Sequence, residues 1–215
     1  MKVSIFSGVL VLILFYFSEI RGHGMLMQPV NRASAWRKGF RTPINYDDNA
    51  NYCGGFNVQY AANKGKCGVC GDNYATKQPR PNENNGHYGK GVIVQRYKAG
   101  EKIDLTVQIT ANHIGYFKFA ICPLKNADDI ETEACFKKYP ITLMNNKDRY
   151  TVPARLVGLI KIKAYLPENL TCERCVLRWH YRAGNNWGVC PNGRGQLGCG
   201  NQETFRTCSD IAIDP

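Results

Sequence analysis

Two of the four histidines lie where they could share a metal ion. The first, His23, would offer two nitrogens, its α-amine and its imidazole Nδ1, if the chain were cut directly before it. A second imidazole would complete three nitrogens in one plane, the flattened, nitrogen-rich set that Cu(II) prefers. The alternative for His23 is an ordinary exposed terminal histidine.

His113 is the best partner for His23, because it follows a regular strand pattern in Thr110-Ala-Asn-His113. A rigid sheet positions the ligands on its loops well, although a loop histidine bound to nearby backbone is the commoner case. His87 lies in a polar loop, and His180 points away from the apolar face of its strand. Neither of these two is assigned to a metal.

The importance of His23 depends on a cut after Gly22. Residues 1–22 carry a basic start at Lys2, an apolar run over Val3–Phe17 and a polar end at Gly22, which is the layout of a secretory signal peptide. The apolar run is short for a membrane span, so an uncleaved anchor is the less favoured alternative. Ile20 at the third-last position departs from the small residue that the cleavage rule prefers. We expect a secreted protein, not attached to a membrane after cleavage, with one domain over residues 23–215.

Several other kinds of chemistry have no support in the sequence. It contains no nucleophile elbow, no His-Glu-x-x-His pair and no phosphate-binding loop, and nothing nominates a pair of catalytic carboxylates. The net charge of +11 suggests affinity for anionic surfaces. Nucleic acid is not expected as a partner, because the charges are scattered and the chain is predicted to be exported.

The ten cysteines favour disulfides over metal binding. An even count in an exported chain predicts up to five bridges. Two Cys-x-x-Cys pairs invite a zinc site, but they lie far apart in the sequence compared with those of zinc ribbons. Local bridges Cys122–Cys135 and Cys190–Cys199 are plausible, and the sequence does not fix the pairing. The cysteines are Cys53, Cys67, Cys70, Cys122, Cys135, Cys172, Cys175, Cys190, Cys199 and Cys208. Asn169, in Asn-Leu-Thr171, is a candidate glycosylation site.

The pattern of the chain predicts an all-β fold. Residues 23 to about 91 read as long loops with a short helix near residues 31–38. Apolar and polar residues then alternate, most strictly over Ile103–Ile109, and Leu177, Trp179 and Tyr181 share one face of a later strand. Candidate strands cover residues 91–97, 103–109, 116–122, 156–165 and 175–181. We therefore expect an antiparallel β-sandwich with long, disulfide-stapled loops.

A series of short motifs resembles one known family along the whole chain after residue 22. Together they resemble the secreted copper-dependent lytic polysaccharide monooxygenases, and among these the animal branch, auxiliary activity family fifteen, a chitin-binding type-4 domain. The motifs are His23-Gly-Met-Leu-Met-Gln-Pro29, Tyr52-Cys-Gly-Gly55, Gly65-Lys-Cys-Gly-Val-Cys-Gly-Asp72, Pro79-Arg-Pro81, Thr110-Ala-Asn-His113, Cys175-Val-Leu-Arg-Trp179, Gly184-Asn-Asn-Trp-Gly188, Cys190-Pro-Asn-Gly193, Gly198-Cys-Gly200 and Glu203-Thr-Phe-Arg-Thr-Cys-Ser-Asp210.

The resemblance implies a site and a reaction. His23 and His113 match the family's two copper ligands, one copper per chain. Phe205 falls where the family has an axial Phe or Tyr, and Ala111 matches a small residue on the opposite axial side. The implied fold is an immunoglobulin-like, fibronectin-III-like β-sandwich. The implied activity is oxidative cleavage of glycosidic bonds in crystalline chitin or cellulose, with an external reductant and peroxide or oxygen.

An enzyme that acts on a flat polymer surface can bind it through aromatic side chains near the metal. Tyr46 and Trp187 are the candidates for stacking on sugar rings, although a place in the core is at least as good an interpretation for Trp187. We expect a monomer. Two other classes stay open: a non-catalytic carbohydrate-binding protein on the same scaffold, and a disulfide-rich matrix protein.

Overall fold

Eleven strands and few helices make up the computed structural model, which describes residues 23–215. The predicted signal peptide lies outside these residues. The strands are β1 His23–Gln28, β2 Gln95–Lys98, β3 Lys102–Ala111, β4 Tyr116–Pro123, β5 Thr142–Leu143, β6 Tyr150–Thr151, β7 Gly158–Tyr165, β8 Cys172–Arg182, β9 Trp187–Val189, β10 Gly195–Leu197 and β11 Thr204–Asp214. The helical segments are a 3₁₀ helix at Arg32–Lys38, a π-helical turn at Val58–Ala62 and the α-helix α1 at Glu133–Lys138.

The strands form two sheets and a separate hairpin. One sheet has the order β1-β3-β7-β5, and the other has the order β2-β11-β8-β4-β6. Strands β9 and β10 pair only with each other. All pairs are antiparallel except β11 with β2, which is parallel. The predicted all-β sandwich is therefore confirmed.

The two sheets bury a shared apolar core. The alternating residues Ile103, Leu105, Val107 and Ile109 on β3 are all buried, and so are Trp179 and Tyr181 on β8. A smaller cluster on the outer side of the second sheet includes Phe136 of α1.

Two strands of the structure, β1 and β11, are not predicted from the sequence. The sequence predicts loop at residues 23–28, but these residues form β1, which pairs with β3 with register shifts after His23 and after Leu26. No strand was predicted after residue 181, yet β11 is the central partner of β8 over Thr204–Ile213. The predicted strand over residues 91–97 starts at Gln95 in the structure.

All ten cysteines are paired, which fixes the loops to the sheets. The pairs include Cys122–Cys135 and Cys190–Cys199, the two local bridges that the sequence suggested. The five disulfides are Cys53–Cys67, Cys70–Cys208, Cys122–Cys135, Cys172–Cys175 and Cys190–Cys199.

A buried ion cluster anchors the segment that follows β1. The Arg32 guanidinium donates to both carboxylate oxygens of Asp210 on β11, at 2.9 and 2.6 Å, and to Glu131 at 2.5 Å. All three residues are buried. Buried charges are stable only when they are paired and hydrogen-bonded, so this cluster holds the segment that follows β1 against β11.

Among residues 23–215, no helix is long and apolar enough to cross a membrane.

Candidate functional site

The pairing of β1 with β3 brings the two predicted histidine ligands to one end of the sandwich. His23 lies opposite Ala111, two residues before His113. The Thr110 hydroxyl donates to the His23 carbonyl at 3.2 Å, and Asn49 donates to that hydroxyl, also at 3.2 Å. The first residue of β1 is thus part of the sheet and bonded to the loop beside it.

Hydrogen bonds on both sides fix the backbone of His113. Its N–H donates to the Tyr181 hydroxyl at 2.9 Å, and its carbonyl accepts from Gly184 N–H at 2.8 Å. The chain then turns through Ile114 and Gly115, both at positive φ. Gly115 is required there, because a Cβ would lie 2.1 Å from the Arg182 carbonyl oxygen. Burial raises the pKa of the Tyr181 hydroxyl, so it stays protonated over the range in which proteins work.

A carboxylate faces one nitrogen of the His113 ring. Glu203 Oε2 lies 3.2 Å from His113 Nδ1, and both side chains are largely buried. A carboxylate on one imidazole nitrogen sets the tautomer and directs the other nitrogen to a metal. This position of Glu203 would leave Nε2 as the nitrogen that His113 presents to a metal. Sequence reasoning did not name Glu203; its position two residues before Phe205 is the available signal.

Aromatic rings connect the two histidines beneath the surface. The His23 ring is 6.2 Å from that of Tyr52, Tyr52 is 6.3 Å from Phe205, and Phe205 is 6.5 Å from the His113 ring. Phe205 is fully buried and stacks on Tyr181. It offers no oxygen, so the side of the site it occupies is apolar. Tyr52 and Tyr181 were not predicted as site residues.

The nitrogen atoms of His23 and His113 suit copper better than a second group of possible metal ligands does. Two imidazoles, with a carboxylate behind one of them, would form the nitrogen-rich donor set that suits copper. In the described part of the chain, Cys70, Glu131 and Cys208 also lie close enough together to hold an ion. Those cysteines are joined in a disulfide, so they have no thiolates to offer.

The surface around His113 and Glu203 is an open depression of about 690 Å³. One side is the loop from Tyr52 to Val58, and the other carries Trp187. Trp187 is 71 % exposed, so it is not a core tryptophan. Its ring covers Gly195 across the β9–β10 hairpin, where a Cβ would come within 2.8 Å of it.

The remaining predicted residues lie at different places. Tyr46 is 82 % exposed and meets Trp36 edge to face. Ala111 is half-buried, opposite His23. His87 and Asn169 are exposed, and His180 belongs to a cluster on the outer face of the second sheet.

Comparisons with known proteins place this chain in a family. A family model described as lytic polysaccharide mono-oxygenase, cellulose-degrading, matches residues 23–211. A solved structure, a lytic polysaccharide monooxygenase of auxiliary activity family fifteen from Thermobia domestica in the Cu(I) state, is 43 % identical with a TM-score of 0.87. The match covers 89 % of this chain and 98 % of that one. The chain belongs to the lytic polysaccharide monooxygenases.

The resemblance to auxiliary activity family fifteen is confirmed by that neighbour. The lytic polysaccharide monooxygenase LPMO10B from Micromonospora aurantiaca is a remote match, 13 % identical with a TM-score of 0.42, over 88 % of this chain and 99 % of its own. No curated protein is similar enough to count as a relative. Family membership makes this chain one of a class of copper oxidoreductases that cleave polysaccharides oxidatively.

The support of His113 by Tyr181 can be tested directly. Tyr181→Phe removes the acceptor of the His113 N–H, and a buried donor left without a partner costs about 1–3 kcal/mol. We expect the free energy of unfolding in denaturant, with disulfides intact, to fall by that amount. Tyr97→Phe is the matched control, because the Tyr97 hydroxyl is buried with no hydrogen-bond partner among the described residues. Equal losses in the two variants would contradict this role of Tyr181.

Proposed function

We propose that this protein is a secreted, copper-dependent monooxygenase that oxidises glycosidic bonds at the surface of crystalline chitin. The observation that carries the proposal is the pairing of His23 with Ala111, which brings His23 to the end of the sandwich where His113 is held. Chitin comes first because the motifs resemble the animal branch of the family. The matching family model is described as cellulose-degrading, so cellulose is the competing substrate.

In this proposal, signal peptidase cuts after Gly22 and leaves His23 as the first residue of a single domain over residues 23–215. The α-amine and Nδ1 of His23, with Nε2 of His113, would hold one copper ion. Bound copper supplies the one-electron redox chemistry that lets an external reductant and oxygen or peroxide oxidise a sugar C–H bond.

The side chains around the histidines then have separate tasks. Glu203 lies 3.2 Å from His113 Nδ1 and would orient the ring. Phe205 would place an apolar ring beside the bound copper, and Ala111 would leave room next to it because its side chain is small. Tyr46 and Trp187 are proposed to stack on sugar rings, since both are exposed. Five disulfides and the exposed Asn169, proposed to carry a glycan, suit an extracellular protein, and we propose that it is a monomer.

Copper binding depends on both histidines in this proposal. We expect His113→Ala to weaken Cu(II) binding by more than about a hundredfold, because a ligand should matter more than the residues behind it, which contribute about 10–100-fold. A chain with one extra alanine before His23 should lose affinity similarly, since it has no α-amine at His23. Calorimetric titration measures both.

The matched control is His87→Ala, which removes an exposed histidine elsewhere. Its copper affinity should equal that of the unaltered protein. The site would have to be moved if His113→Ala kept tight binding with an unchanged circular dichroism spectrum.

The activity itself is tested with the copper-loaded protein that begins at His23. With a reductant and crystalline chitin, we expect oxidised oligosaccharides in the mass spectrum, and none from the chain with the extra alanine. Cellulose is run in parallel, and oxidised products from cellulose alone would reassign the substrate. Binding to either polymer without oxidised products would make the protein a carbohydrate-binding protein on this scaffold.

Trp187 is expected to contribute to polymer binding and not to copper binding. Trp187→Ala should lower the fraction of protein bound to chitin in a pull-down while the copper affinity stays the same. Tyr165→Ala is the control, because Tyr165 is an exposed aromatic residue on β7, away from the β9–β10 hairpin. Equal losses in both variants would remove Trp187 from the binding surface.

A further inference from the structure

A row of basic side chains crosses the outer face of the second sheet. Lys118 on β4 lies opposite His180 on β8, and His180 lies opposite Arg206 on β11. In the neighbouring row, Arg178 lies between Ala120 and Cys208. Alternation along β8 and β11 turns these side chains away from Tyr181 and Phe205, so they face away from the copper site.

Helix α1 forms a wall beside this row. The Arg178 guanidinium carbon lies 4.1 Å from the centre of the Phe136 ring, and Glu133 reaches over from the start of the helix. Together they line a depression of about 260 Å³, with Lys118 and Lys137 at its rim. We call it the cationic pocket.

Four cations line the cationic pocket, Lys118, Lys137, Arg178 and Arg206, against one lining carboxylate, Glu133. Lys118 is also paired with Asp148, at 2.7 Å. Arg178 Nη1 lies 3.0 Å from Glu133, and Arg206 Nη1 lies 2.5 Å from the other oxygen of the same carboxylate. Two largely buried guanidinium groups therefore share one carboxylate, which is itself 42 % exposed. The negative charge of Glu131 also favours the charged form of Arg178, but Glu131 is itself hydrogen-bonded to Arg32.

Arg178 has donor capacity that the described residues do not use. Arg178 is 8 % exposed, and its Nε and Nη1 atoms are buried without a hydrogen-bond partner among residues 23–215, so the 3.0 Å approach of Nη1 to Glu133 is an ion pair without hydrogen-bond geometry. Arg206, in contrast, donates from Nε to His180 Nδ1 at 3.1 Å and from Nη1 to the Gly68 carbonyl at 3.2 Å. A buried donor without a partner is costly. The exposed part of the Arg178 side chain lines the cationic pocket, so Arg178 is the guanidinium that a ligand there would contact.

The electrostatics of the pocket agree with this geometry. Burial and the neighbouring Arg206 charge lower the pKa of Arg178 to about 10. Burial, with the charges of Arg206 and Arg178, lowers the pKa of His180 well below its usual value, so His180 is neutral and accepts from Arg206. Burial opposes ionisation of Glu133, yet the two arginines hold the pKa of its carboxyl below the usual value.

We propose that the cationic pocket binds a small oxyanion, with Arg178 as the principal donor and Arg206 as the supporting cation. A planar guanidinium matches the oxygens of carboxylate, phosphate and sulfate groups, and such charge-assisted bonds are strong. The oxyanion can be a free ion or a group carried by an acidic sugar. The proposal does not depend on copper, because no residue of the pocket belongs to the histidine site.

Calorimetry and thermal unfolding of the copper-free protein test the proposal. The probes are phosphate, sulfate, acetate and glucuronate, with ionic strength held constant by sodium chloride. We expect saturable binding of one ion and a melting temperature that rises with its concentration. Preference for glucuronate over acetate would point to an acidic sugar, and preference for phosphate or sulfate would point to a free ion.

Variants separate a specific site from general salt effects. Arg178→Gln should weaken binding about tenfold, as expected for the loss of a charge-assisted bond. Arg96→Gln, which removes an exposed arginine paired with Asp214, should leave binding unchanged. Sulfate and phosphate also stabilise proteins by exclusion from the surface, and that effect would be the same in both variants.

Glu133→Gln gives the opposite expectation. It removes the carboxylate that competes with the ligand, so anion binding should become tighter and the melting temperature should depend more steeply on anion concentration. If Arg178, Glu133 and Arg206 only brace helix α1, this variant will lose stability and no anion will restore it. That result, or equal stabilisation of all variants by every anion, would overturn the proposal.

Discussion

The register between β1 and β3 is the constraint on which the candidate copper site depends. Side chains alternate along a strand, so a slip of one residue would turn Met25 and Leu26 to the wrong faces and move His23 away from Ala111. Two features oppose such a slip. Leu26 is fully buried between the sheets, and Arg32, shortly after β1, is bonded to Asp210 and Glu131. The proposed cleavage would make His23 a chain terminus, and termini usually fray. Here His23 is paired to β3, an inner strand of its sheet, which suits a residue expected to supply two ligands.

The sequence was sufficient for the parts of the fold in which one strand face is apolar and the other polar. Strand β3 alternates strictly, and its predicted core face is the buried face of the structure. Strand β11 could not be recognised in this way because nearly all of its residues are buried. One face lies on the main core, while the other is covered by loops and by the Cys70–Cys208 disulfide. A strand buried on both faces has no period-2 signal.

Strand β1 escaped prediction for a different reason. Its six residues follow the proposed cleavage point and precede Pro29 in a region rich in Gly, Asn and Pro, so local propensity favours a loop. Pairing with β3 overrides that preference. The same limit applies to the site: His23 and His113 were found from residue type, position and family motifs, whereas Glu203 and Tyr181 act through contacts across 90 and 68 residues of sequence. Such contacts exist only once the sheets are assembled.

Strands β8 and β11 carry different chemistry on their two faces, and the sandwich explains why both faces are tolerated. On the inner face, Tyr181 and Phe205 stack in the core beneath His113. On the outer face, His180 and Arg206 lie side by side under α1, with Glu133 between the two arginines. The inner rings need a dry environment, and the outer cations need an anion. Consecutive residues on one strand point in opposite directions. The same pair of strands can therefore carry the apolar rings beneath the candidate metal site on one face and the cationic pocket on the other, one residue further along.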